Sequence, residues 1–171
     1  GGHAGPRHLL VEDNAVSDFA RWKRTYQPGM YWGGCGNTFR DNTIKHGPHN
    51  GFLGGGNFED GVDMLFEGNT IEDCTYETID SGAFYTCGQG GNAFVNRGNV
   101  LRNNTFVNIR NTAGTGVQVA SNQAVYLDDQ MSAWLVEQNT FINCEVGTFT
   151  GGGRRNTIRN NSYENCGTVH Y

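Results

Sequence analysis

Leu101-Arg102-Asn103-Asn104-Thr105-Phe106 is one copy of a six-residue unit that recurs along the chain. The unit consists of an apolar residue, two mostly polar residues, an asparagine, a small residue and a second apolar residue. The other copies are Val11–Val16, Phe39–Ile44, Phe66–Ile71, Val136–Phe141 and Ile158–Tyr163. Because repeats at such intervals are typical of stacked structural units, the six copies predict a solenoid.

The spacing of the unit asparagines indicates which kind of solenoid. The intervals are 28, 27, 35, 35 and 22 residues, and the shortest suits one coil of a parallel β-helix, so that longer intervals indicate inserted loops. A second repeat has a constant phase before the unit. It consists of Gly51–Gly55, Ala83–Cys87, Ala124–Asp128 and Gly147–Gly151, and Met30–Gly34 joins it with an offset of one residue.

These repeats predict one all-β domain over residues 1–171, a right-handed parallel β-helix of about six coils. The two apolar positions of each unit would form two interior stacks. The asparagines would lie at a sharp bend in left-handed geometry and form a ladder, each bonding the asparagine of the next coil. Helical periodicity and the leucine-rich repeat consensus are both missing.

Composition restricts the partners. The net charge is −5 and the 12 lysines and arginines are scattered, which argues against nucleic-acid binding. The sequence has no run of 18 apolar residues, so no membrane span is predicted. The chain begins without an initiator methionine or a signal peptide, so we expect a mature product or a fragment of a longer protein, and favour the fragment. The sequons at Asn103 and Asn160 are glycosylation candidates compatible with an extracellular location.

Five cysteines occur without a Cys-x-x-Cys motif, so no metal site or cofactor is expected. Cys74, Ile109, Cys144 and Cys166 follow the unit at equivalent positions, which favours plain packing. Cys144 and Cys166 would lie on neighbouring coils, and a disulfide between them stays open.

Two inserted loops leave the same edge of one predicted sheet, where loops of solenoids commonly build the binding face. Compared with 144–147, the stretch 74–83 is six residues longer and the stretch 109–124 is twelve residues longer. His49 and Glu77 lie there as candidate substrate-binding residues. The alternative for His49 is a structural histidine of the loop, and the alternative for Glu77 is an ion pair or hydrogen bond within the loop.

Tyr85 and Tyr126 occupy equivalent positions on neighbouring coils and are also candidate substrate-binding residues. If they face outward they form a platform for sugar rings, and Asp128 faces outward beside them. If they face inward they form a core stack, and Asp129 is the exposed acid. The sequence leaves both orientations open.

The motifs Thr25–Gly29, His46–Asn50, Glu77–Tyr85, Val125–Asp129 and Gly151–Arg154 occur in an order that resembles the β-helix proteins of glycoside hydrolase family 141. The resemblance covers roughly residues 21–166 and implies activity of the α-L-fucosidase or xylanase kind, with two catalytic aspartates. Matched by motif, these are Asp80 and either Asp128 or Asp129. The uncharged stretch 86–91 departs from the family pattern, which bears on substrate choice.

Three function classes therefore compete. The first is a glycoside hydrolase on a polysaccharide or glycan, in which the loop carrying Asp80 must fold back over the sheet to meet the second acid. The second is a non-catalytic structural or glycan-binding β-helix that stacks end to end or joins further domains. The third is a polysaccharide lyase, for which Lys45 and Arg97 are weak base candidates. Turn formation by Asp80, and bend capping or cation binding by Asp128 and Asp129, are the non-catalytic alternatives.

Overall fold

The computed structural model describes residues 5–55, 61–88, 96–112 and 122–171, and the strands of these ranges form six coils. The first two coils are β1 (Leu10–Glu12), β2 (Ala15–Ser17), β3 (Met30–Trp32) and β4 (Gly34–Cys35), then β5 (Thr38–Arg40), β6 (Thr43–Gly47), β7 (Phe52–Gly54) and β8 (Gly61–Val62). The third and fourth are β9 (Leu65–Glu67), β10 (Thr70–Cys74) and β11 (Gly82–Cys87), then β12 (Val100–Arg102), β13 (Thr105–Val107) and β14 (Gln123–Asp128). The fifth and sixth are β15 (Leu135–Glu137), β16 (Thr140–Ile142) and β17 (Val146–Thr150), then β18 (Thr157–Arg159), β19 (Ser162–Glu164) and β20 (Thr168–His170).

Each coil gives one strand to each of three parallel sheets. Sheet 1 has the order β1-β5-β9-β12-β15-β18, sheet 2 is β2-β6-β10-β13-β16-β19, and sheet 3 is β3-β7-β11-β14-β17-β20. The register pairs residues of equivalent units, such as Leu101 with Phe66 and Val136, and Phe106 with Phe141. The predicted parallel β-helix and both interior stacks are therefore confirmed, as is the offset of Met30, which pairs with Phe52.

The asparagine ladder is continuous through all six coils. The side-chain nitrogen of each ladder asparagine donates to Oδ1 of the next, over 2.9–3.1 Å. The same Oδ1 also accepts the backbone N–H of the preceding asparagine, over 2.8–3.1 Å. The row consists of Asn14, Asn42, Asn69, Asn104, Asn139 and Asn161. Buried amides in this row are thus satisfied by their equivalents on adjacent coils.

The bend itself lies one residue earlier than predicted. Left-handed φ angles of 53–69° belong to the residue before each ladder asparagine, whereas the ladder asparagines do not have positive φ. The bend residues are Asp13, Asp41, Gly68, Asn103, Gln138 and Asn160. Asp, Asn and Gly tolerate this conformation best, so they dominate the position. The prediction of left-handed geometry at the ladder asparagines is therefore wrong, because the residue before each of them adopts it.

The interior is filled by apolar stacks and an aromatic cluster. Phe106 and Phe141 stack with ring centroids 5.1 Å apart, as Phe39 and Phe66 do. Trp134 is fully buried and contacts Phe84 at 5.3 Å. Burial of such side chains is the main favourable term in folding the coil stack.

All five cysteines are thiols, so the structure contains no Cys144–Cys166 disulfide. Cys74 and Cys144 are buried in the interior, and burial raises the pKa of each thiol to about 12. Cys166 lies against the same core. The cysteine column therefore packs as small apolar side chains, as the sequence favoured.

Replacement of Asn104 by alanine is expected to lower the free energy of unfolding by about 3 kcal/mol, because several buried partners lose their bonds at once. The Asn104 amide donates to Phe66 and Asn139 and accepts from Asn69. Urea unfolding measures the change. The exposed bend residue gives the control, since Asn103→Gly keeps the left-handed geometry and should change stability by less than about 0.5 kcal/mol. Equal losses in the two variants would contradict the ladder's role.

Candidate functional site

An aromatic row runs along the outer face of sheet 3. In register along the sheet lie Tyr31, Leu53, Tyr85, Tyr126 and Phe149, and Tyr171 stacks on Phe149 at 5.2 Å. The residues preceding Tyr85 and Tyr126 are fully buried in the core. Because successive side chains of a strand alternate between its faces, the row faces outward. The structure thus selects the outward orientation that the sequence left open.

The loop 75–81 between β10 and β11 is attached to the coils on both sides of it. The Thr75 N–H donates to the carbonyls of Gly47 and His49, each over 2.9 Å. The Thr78 hydroxyl donates to Pro48 O over 3.2 Å. From the next coil, the Asn122 amide donates to the carbonyls of Thr75 (2.8 Å) and Thr78 (2.7 Å). These bonds fold the loop over the edge of sheet 3.

Two tyrosine–aspartate pairs result on the outer face. The Tyr126 hydroxyl donates to Asp80 Oδ1 over 3.0 Å, and the Tyr85 hydroxyl donates to Asp128 Oδ2 over 3.0 Å. The two rings meet edge to face, with centroids 5.2 Å apart. Burial, the charge of Asp128 and the bond to Asp80 all raise the pKa of Tyr126, so both acids act on one hydroxyl. The fold-back of the Asp80 loop is therefore present in the structure.

Asp80 and Asp128 differ in environment. Asp80 is exposed, whereas Asp128 is partly buried beside Gly151, and burial raises the pKa of the Asp128 carboxyl above its ordinary value. Hydrogen bonds from the Asp129 N–H and the Tyr85 hydroxyl oppose that rise, and the charges of Asp129 and Asp80 add to it. A carboxyl group whose pKa is raised is suited to hold a proton for acid–base work.

Asp129 occupies a turn at the end of β14. Its φ is 44°, and its backbone N–H donates to Asp128 Oδ1 over 2.8 Å. Asp128 thus accepts hydrogen bonds from both the Tyr85 hydroxyl and the Asp129 N–H. Strand alternation puts Asp128, two residues after Tyr126 in β14, on the same face as the tyrosine row.

Two other candidate residues lie beneath or beside this face. His49 is 4% exposed, its ring packs on Tyr26 at 4.9 Å, and it bonds Asn50. Burial lowers the pKa of His49. Glu77 forms a two-bond ion pair with Arg24. The structure brings neither side chain to the tyrosine–aspartate pairs, and places both in the structural roles weighed as alternatives.

The remaining predicted sites can be located only within the described ranges. There, no group of three or more His, Cys, Asp or Glu side chains could hold a metal ion, and no helix is long and apolar enough to span a membrane. Arg97 is buried and Lys45 lies on the second sheet. Asn103 and Asn160 are exposed at bends. Most of the longer inserted loop, residues 113–121, lies outside the described residues.

Substitution of Tyr85 by phenylalanine is expected to raise the pKa of Asp128 further, because the lost hydroxyl stabilises the ionised carboxylate. Carbon-detected NMR titration of the aspartate carboxyls measures it. Tyr31→Phe changes the same row at an exposed edge position and should leave Asp128 unchanged. A pKa that fell or stayed constant in the Tyr85 variant would contradict this arrangement.

The raised pKa of Asp128 also predicts a pH dependence of stability. The contribution of Asp128 to the free energy of unfolding is fully present below pH 3.8, the ordinary pKa of the carboxyl. It is lost as the pH rises through the raised pKa of the folded state. Compared with Asp128→Asn, the natural chain should therefore lose unfolding free energy across that window. Urea unfolding at a series of pH values tests the sign, and a gain of stability with pH relative to the variant would refute it.

The comparisons with known proteins agree with this architecture. A family model of right-handed β-helix regions matches residues 4–171, nearly the whole chain. Neither the curated proteins nor the solved structures contain a match. The family match and the six coils of parallel strands lead to the same assignment: the chain belongs to the right-handed β-helix family.

Proposed function

We propose that the chain is a glycoside hydrolase acting on a polysaccharide or glycan, with Asp80 and Asp128 as its two catalytic carboxyl groups. The observation that carries the proposal is the meeting of these two acids at the Tyr85–Tyr126 pair on the outer face. They come from a loop and a strand far apart in sequence. A pair of carboxyl groups flanking the scissile bond is the usual requirement for glycoside hydrolysis.

The environments of the two acids suggest their roles. Asp128, whose pKa is raised, is the proton donor: its proton passes to the glycosidic oxygen as the bond to the anomeric carbon breaks. Asp80 is exposed and supplies the carboxylate that attacks that carbon or takes a proton from the attacking water. The Tyr126 hydroxyl positions Asp80, and the Tyr85 hydroxyl positions Asp128.

The substrate would lie along the aromatic row. Tyr85 and Phe149 are partly exposed on either side of Tyr126, and Tyr171 extends the row. Sugar rings stack on aromatic faces because their C–H surfaces are apolar. The resemblance to glycoside hydrolase family 141 supports α-L-fucosides and xylan as first substrates. Of the aspartates that the resemblance implies, Asp80 and Asp128 bond the tyrosine pair.

A non-catalytic glycan-binding β-helix is the second candidate, and the partly exposed rings of Tyr85 and Phe149, with the exposed ring of Tyr171, favour it directly. Under that function Tyr85→Ala and Phe149→Ala should weaken glycan binding in affinity electrophoresis, while Asp80→Asn leaves binding intact. Hydrolysis by the natural chain would exclude it.

Asp80→Asn and Asp128→Asn are each expected to lower the hydrolysis rate by about 10²–10⁴-fold, because each removes a group required in the transition state. Release of reducing sugar from xylan, or of the aryl group from an aryl α-L-fucoside, measures the rate. Asp129→Asn is the matched control on the adjacent residue and should retain most activity. Unchanged rates in both Asp80 and Asp128 variants, with the folded state verified by circular dichroism, would refute the proposal.

A further inference from the structure

The outermost strands of all three sheets form two opposite edges of the coil stack. The N-terminal edge consists of β1, β2 and β3, and the C-terminal edge consists of β18, β19 and β20. Edge strands present backbone groups that pair readily with another strand. What each edge can pair with depends on the side chains that lie in the columns above and below it.

One column of sheet 1 alternates in charge from coil to coil. It runs Glu12, Arg40, Glu67, Arg102, Glu137 and Arg159. Ion pairs join Glu12 with Arg40, Glu67 with Arg102 (2.8 Å) and Glu137 with Arg159 (2.8 Å). The steps from Arg40 to Glu67 and from Arg102 to Glu137 place opposite charges in register on adjacent strands. The column therefore has an acid, Glu12, at the N-terminal edge and a base, Arg159, at the C-terminal edge.

A second column, at the residue before each sheet 1 strand, alternates between apolar residues and asparagine. It runs Leu9, Asn37, Met64, Asn99, Trp134 and Asn156. The apolar residue donates its backbone N–H to the asparagine of the next coil, as from Trp134 to Asn156 over 3.1 Å and from Met64 to Asn99 over 3.0 Å. This column has an apolar residue, Leu9, at the N-terminal edge and an asparagine, Asn156, at the C-terminal edge.

We propose that a second copy of this chain stacks head to tail, with its N-terminal edge on the C-terminal edge of the first. Arg159 then meets Glu12 of the second copy, and Asn156 meets Leu9. Asn161 donates to Asn14 of the second copy, as each ladder asparagine donates to the next within one chain. The even number of coils keeps both alternating columns in phase across the junction.

Apolar surface at the two edges supports the same junction. The C-terminal edge encloses an open cavity of about 550 Å³ whose lining includes Ile158, Tyr163 and Val169. Val169 is 49% exposed there, and Leu10 is 52% exposed at the opposite edge. Stacking would cover these side chains and extend the interior stacks of sheets 1 and 2. Burial of apolar area supplies most of the driving force, while the charged column sets the register.

The contact is a translation along the helix axis. Because every sheet is parallel, a second copy continues the strands in the same direction only when opposite edges meet. Such a heterologous contact does not close on itself, so further copies add to each end and form an open filament.

Charge reversal at the two edges tests the proposal by sedimentation velocity between about 1 and about 100 µM protein. Arg159→Glu leaves acids at both edges and Glu12→Arg leaves bases at both, so each variant alone should associate about tenfold more weakly than the natural chain. An equimolar mixture of the two should regain association, because each junction then joins an acid to a base. Arg110→Glu, an equal charge change on an inner coil, should associate like the natural chain.

If the natural chain stays monomeric, the edges do not bind a second copy, and the proposal is overturned. The edges would then be available to another partner, such as further coils of a longer protein. Failure of the mixture to regain association would overturn it as well. Sedimentation does not depend on hydrolysis, so the outcome is separate from that of the proposed enzymatic function. Elongated particles in electron micrographs, absent for either variant alone, are the expected supporting result.

Discussion

The whole molecule depends on the hydrogen bond between an asparagine amide and the asparagine of the adjacent coil. A parallel β-helix turns sharply three times per coil, and at each turn backbone groups leave the regular pattern of the sheet. The ladder oxygen accepts both a side-chain and a backbone N–H from the preceding coil, as Asn139 does from Asn104. Because the acceptor belongs to the next coil, the bend is satisfied only in the stack, which makes the fold cooperative along its axis.

Vertical adjacency also explains why some columns are uniform and others alternate. An amide carries both donor and acceptor, so asparagine is complementary to itself and can repeat at every coil. Opposite charges on adjacent coils attract each other, which favours alternation in the charged column, as Glu67 and Arg102 show. The result is a two-coil period superimposed on the one-coil repeat, and this period gives the two edges of the stack different chemistry.

The candidate site uses the same adjacency on the outer face. Tyr85 and Tyr126 are neighbours only because β11 and β14 are neighbours, and each hydroxyl reaches an aspartate held by a different segment. The loop 75–81 reaches Tyr126 because carbonyls below it and the Asn122 amide above it hold its backbone. A rigid stack thereby positions groups that a single coil could not hold, which is the condition for a site with defined geometry.

The sequence by itself determined the coil register, the interior stacks and the ladder, because each of these repeats within a unit such as Leu101–Phe106 and requires only that equivalent positions lie over one another. It also contains the alternating column of Glu12 and Arg40, at the residue after the first apolar position of each unit. Only the tertiary structure decided that the tyrosines face outward, that Asp128 bonds Tyr85, and that Asp80 folds back to Tyr126. Those features depend on strand alternation near a bend and on loop bonds to other coils, and neither leaves a local pattern in the chain.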